Sequence, residues 1–64
     1  MKTFNITSQG VTTTVQASSF QKAANAFFKV EKAIRCMGPD GYWANHRHSK
    51  NNPSTTAKIE LVAP

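Results

Sequence analysis

The stretch Ser18–Arg35, SSFQKAANAFFKVEKAIR, constrains the fold more than any other part of this chain. It is the one segment long and periodic enough to read as an amphipathic helix. At about 100° per residue, Phe20, Ala23, Phe27, Val30 and Ile34 gather within a sector of about 80°. Ala24 and Ala26 border that sector, and the small alanines suggest close approach to a sheet. Lys22, Lys29, Lys32 and Arg35, with Asn25, fall on the roughly opposite side. Phe28 lies between the faces. Glu31 sits awkwardly on the apolar side: either it lies at the rim with its carboxylate in water, or the helix is already ending there. Ser18 with Gln21 reads as a capping box, each side chain returning to the other's backbone N–H. Gly38-Pro39 reads as the stop.

The flanks read as strands. In Lys2–Thr7, Phe4 and Ile6 alternate with polar neighbours. In Val11–Ala17, β-branched Val and Thr favour a pleated strand over a helix. The apolar faces match if Phe4 opposes Val15 and Ile6 opposes Thr13, which needs an even-numbered loop, either Gln9-Gly10 or Ser8–Val11. Gly10 supplies the positive φ of such a turn. Further on, Tyr42–Arg47 reads as a strand whose facing is open: Trp43 alternates with Asn45 and Arg47, and Tyr42 with Ala44 and His46. Ser49–Ser54 reads as a loop, and Thr55–Val62 as a final strand with Ala57, Ile59 and Leu61 on one face.

The order β-β-α-β-β implies an α+β class: a single small domain over residues 1–64, one antiparallel sheet with one helix packed on one face. The expected inward set is Phe4, Ile6, Thr13, Val15, Phe20, Ala23, Ala24, Phe27, Val30, Ile34, Ile59, Leu61 and Trp43. A competing reading makes Ile34–Met37 a strand, paired to Tyr42 through the Gly38-Pro39-Asp40-Gly41 turn, because helix-stop and turn signals overlap there.

With 64 residues the core is small and stability marginal. The single cysteine, Cys36, excludes an internal disulfide. The N-terminus has no signal-peptide pattern, and no apolar run is long enough to span a bilayer. A reducing, cytoplasmic setting without membrane attachment is therefore expected.

Eight Lys and Arg against three Asp and Glu leave a net charge of +5, and an isoelectric point near 9.9. Such an excess points to an anionic partner, most often nucleic acid. Two basic groups stand out. One is the helical row Lys22, Lys29, Lys32 and Arg35. The other is His46, Arg47, His48, Lys50 and Asn51, set in a polar stretch rich in amide and hydroxyl donors. Both suit phosphate contacts that position a duplex or single strand without reading bases. Against this, every amphipathic helix has a solvated charged face, and the second group combines charge, amides and loop exposure better.

Other chemistries have less to build from. His46-x-His48 on a strand would offer two ligands to a metal, and only Cys36 or Asp40 could add to them, without a recognised zinc spacing. No metal or other cofactor is expected. A nucleophile would have to be Cys36 or a serine beside a histidine, and only three carboxylates exist, so no enzyme is expected. Cys36 reads better as a small buried hydrophobe. The expected role is a small nucleic-acid-binding accessory module (DNA or RNA). The rival class is a protein-interaction module: a homodimer, or a small regulator or inhibitor docking on an acidic protein surface.

Overall fold

The computed structural model describes residues 1–36, 38, 40–46 and 56–64. Two strands come first, β1 (Lys2–Ser8) and β2 (Val11–Ala17). The helix α1 (Phe20–Phe28) follows, then β3 (Ile34–Cys36), β4 (Tyr42–Asn45) and β5 (Ala57–Ala63). They form one antiparallel sheet in the order β2-β1-β5-β4-β3. The α+β class and the helix on one sheet face stand as expected, with a short fifth strand added between helix and β4.

The first hairpin follows from its alternation. Phe4 opposes Val15 and Ile6 opposes Thr13, through the two-residue loop Gln9-Gly10. Gln9 at φ 52° and Gly10 at φ 78° give it the primed-turn twist that matches the strands. β1 also pairs with β5, Ile6 opposite Ile59 and Phe4 opposite Leu61, and a register shift beside Thr3 leaves Val62 without an opposite residue.

The helix is shorter than its apolar spacing implies. It starts one residue later than the capping-box reading: Ser19, not Ser18, is the N-cap, and its hydroxyl accepts from the Lys22 N–H at 3.2 Å. Gln21 is therefore not returned to Ser18. It ends at Phe28, where Lys29 turns left-handed at φ 57° and ψ 47°. The Val30 N–H then reaches back to the Asn25 carbonyl at 3.1 Å, a Schellman-type closure. Val30 and Ile34 match the helical period by coincidence.

Tertiary capture holds the chain out of the helix. The Ala33 N–H donates to Asn25 Oδ1 at 2.7 Å, and the Ala33 carbonyl accepts from Gln21 Nε2 at 2.8 Å. Gln21 and Asn25 are themselves bonded at 2.9 Å, one turn apart. Both backbone groups of buried Ala33 are thus satisfied by helix side chains rather than by helical continuation. Glu31 lies exposed in this connection, the second of its two expected positions. The strand Ile34–Cys36, paired as Ile34 opposite Asn45 and Cys36 opposite Trp43, realises the competing reading of Ile34–Met37 over those three residues; Met37 and Pro39 lie outside the described residues.

The core lies between α1 and the sheet. Phe4, Ile6, Ala23, Ala24, Ala57 and Ile59 are essentially inaccessible, joined by Ala17, Ala33 and Ala44. Alanines on both sides let the helix sit close to the sheet. Phe20, Phe27, Phe28, Val30, Val15 and Tyr42 pack around them, partly exposed. Four expected members lie elsewhere. Thr13 is exposed on the edge strand β2. Leu61 is 45% exposed beyond the short helix's cover. Ile34 and Trp43 lie on the face away from the helix, because Tyr42 opposes Ile59 and Ala44 opposes Ala57.

Candidate nucleic-acid interface

The short helix breaks up the expected cationic row. Lys22 stands in the first turn of α1, Lys29 caps its C-terminal end, Lys32 lies in the connection and Arg35 sits on β3. All four are exposed. They are not a stripe on one helix, because the chain leaves the helix at Lys29. Lys22 is about 10 Å along the helix axis from the capped end.

Lys29 and Lys32 lie at one end of the fold. Phe28, in the last turn of α1, packs its ring 5.5 Å from the His46 ring, just beyond β4. It also meets Phe27 edge to face at 4.9 Å. The opposition of Ile34 to Asn45 brings the start of β3 beside the end of β4. Lys29, Lys32 and His46 therefore share this end, whereas Arg35 pairs with Ala44 and reaches toward Tyr42, at the other end of β4. Arg47, His48, Lys50 and Asn51 lie outside the described residues. Arg47 follows His46 in the chain.

Arg35 is held by an aromatic column. Its guanidinium carbon lies 4.6 Å from the Tyr42 ring centroid, a cation–π distance. Tyr42 stacks on Phe20 at 5.0 Å, and Phe20 meets Phe4 edge to face at 4.9 Å. The Tyr42 hydroxyl reaches Gln21 Oε1 at 3.4 Å. The column supports the flat side of the guanidinium while the residue stays exposed. Neither this column nor the Gln21–Asn25 clamp is legible in the sequence, where the helical period puts Asn25 on the solvated face. Gln21 and Asn25, one turn apart between apolar positions, were the available signal.

The electrostatics favour an anion here. Of the six described Lys and Arg residues, Lys58 alone is ion-paired to a described carboxylate, with Asp40 at 2.7 Å. The Asp40 hydrogen bond lifts the Lys58 ammonium above its ordinary range, against a smaller desolvation effect. At the helix's C-terminal end Lys29 and Lys32 have one acidic residue near them in the chain, Glu31, while the Arg35 guanidinium lies on Tyr42 beside the first turn of the helix. Cations at this end are also favoured by the helix macrodipole. No described group of three metal-ligating side chains exists.

Trp43 is not the core residue expected. It is part-buried on the face away from the helix, and its indole N–H donates to the Asp40 carbonyl. A side chain at Gly38 would overlap the indole. Cys36, opposite Trp43 in the ladder, is buried and free. No helix among the described residues is long and apolar enough to cross a membrane. Comparison with protein families, curated proteins and solved structures finds no match to this chain.

Proposed function

We propose that this chain is a small nucleic-acid-binding module that grips the phosphate backbone through Lys29 and Lys32 at the C-terminal end of the helix and through Arg35 on the neighbouring strand β3. The observation that carries the reading is the Phe28–His46 contact at 5.5 Å. It joins the cationic helix end to the point where the chain enters the basic segment beginning at Arg47. Lysine and exposed arginine here suit charge neutralisation, so affinity without strong sequence preference is expected. The setting we take is the cytosol, supported by a lone cysteine that is buried and unpaired.

The test is a titration of short duplex and single-stranded DNA and RNA at low and moderate salt, read by fluorescence anisotropy. Neutralising three phosphates gives a logarithmic salt slope of about −3 on duplex DNA. Lys29→Ala with Lys32→Ala lowers the slope by about 2, each phosphate-contacting cation accounting for roughly 1. Lys58→Ala, which removes an already paired charge, leaves it unchanged. Lack of binding to all of these at low salt refutes the reading.

A further inference from the structure

The two edges of the sheet are unequal. β3 is three residues long and therefore offers little to pair with. β2 is seven residues long and has no charge, no proline, no glycine and no bulge. That is unexpected in a chain of net charge +5, since exposed edges are ordinarily blunted by charge, proline or shortness. Its sequence, VTTTVQA, is also strongly β-prone.

The hairpin dictates which groups this edge presents. With a two-residue loop, Ser8 and Val11 form a hydrogen-bonded pair, and such pairs alternate along the ladder. Val11, Thr13, Val15 and Ala17 therefore spend their backbone groups on β1. Thr12, Thr14 and Gln16 turn theirs outward. An antiparallel partner must match outward residues to outward residues and keep the sheet faces continuous. A second copy of the same strand does both about Thr14: Thr14 opposes Thr14, and Thr12 opposes Gln16. On the helix side, Thr13 then meets Val15, and Val11, 65% exposed in the single chain, meets Ala17. Other registers with both faces continuous match fewer outward residues.

We propose that β2 is a homodimer interface, joining two copies edge to edge about a two-fold axis at Thr14 into one continuous antiparallel sheet. The occupant is a second copy because the register is self-complementary and brings no charge against charge within the strand pair. β3 and the basic ends then lie at the two outer margins, about 40 Å apart at the usual strand spacing. The dimer does not depend on the nucleic-acid reading.

Sedimentation equilibrium from micromolar to millimolar protein tests it. A shift from the 7.0 kDa monomer to twice that mass is expected. Thr14→Pro removes an outward N–H and the exposed Thr14 Oγ1 to Asn5 Oδ1 hydrogen bond but no bond of the β1–β2 ladder, as an edge strand tolerates. It should weaken association roughly tenfold or more, with the far-ultraviolet circular dichroism of the wild type retained. Separately, Thr14→Cys should form a disulfide-linked dimer on mild oxidation, since directly opposed Cα atoms lie about 5.5 Å apart, within disulfide reach. Thr12→Cys, off the axis, should not, and the wild type controls for Cys36. A monomer at every concentration overturns the proposal. So does a dimer in which Thr14→Cys fails to cross-link, even if Thr14→Pro proves unfolded.

Discussion

Replacing Asn25 with alanine tests the account of why the helix stops where it does. Asn25 Oδ1 accepts from the Ala33 N–H at 2.7 Å and from Gln21 Nε2 at 2.9 Å. Ala33 is 1% exposed, so water cannot replace the lost acceptor. An orphaned buried donor costs about 1–3 kcal/mol. The higher helix propensity of alanine returns roughly 0.5 kcal/mol. The net loss is about 1–2 kcal/mol, a fall in Tm of roughly 10 °C in a domain of this size. Gln21 keeps its bond to the Ala33 carbonyl, so the connection loosens without losing every tether. Asn25→Asp preserves both acceptor roles and should restore most of the loss, less a small penalty for an anion near the helix C-terminus. Urea titration of the three proteins measures both differences. An Asn25→Ala protein within about 0.3 kcal/mol of wild type refutes the clamp, since that is well below the cost of an orphaned donor. An Asn25→Asp protein as damaged as Asn25→Ala refutes the role given to the oxygen.

Three further outcomes follow from individual residues. Lys29→Gly relieves the left-handed backbone at φ 57° and should stabilise by roughly 0.5–1 kcal/mol in thermal melts, while lowering the salt slope of binding by about 1. Gly38→Ala forces the indole of Trp43 to turn away from the Asp40 carbonyl. It should cost about 1–3 kcal/mol as overpacking does and shift the tryptophan emission. The Lys58 pKa is raised in the folded chain by the Asp40 hydrogen bond. The pair's contribution should thus be complete below the ordinary lysine pKa and lost as pH rises through the folded value. Alkaline urea titrations of wild type and Lys58→Met should converge there.

Much of the fold was legible because strand signals are local. Phe4 and Ile6 against Val15 and Thr13, with Gly10 between, leave one register that hides the apolar row. Ala57 and Ile59 mark β5 by the same alternation. The end of the helix was not legible, because Val30 and Ile34 keep the 3.6-residue period after the chain has left it. What ends the helix is a contact between Gln21, Asn25 and Ala33 across 8 and 12 residues of sequence. That error carried into the candidate site. Lys29, Lys32 and Arg35 stand out in the sequence by type, but the grouping of Lys29 and Lys32 with His46, apart from Arg35, depends on the Lys29 turn and the β3–β4 pairing. Trp43 was drawn toward the core by its size, whereas β4 turns Tyr42 and Ala44 inward through their pairing with Ile59 and Ala57.

The central claim is that anions bind at the C-terminal end of the helix. Backbone amide shifts of nitrogen-15-labelled protein, followed as a short duplex or single strand is added at low salt, test it most directly. The account predicts shifts concentrated at Lys29, Lys32, Arg35 and His46, reversed by added salt, with the Gln9-Gly10 turn unmoved. Shifts confined to that turn or to the Thr-rich sheet face, or no shifts with any nucleic acid, would contradict it.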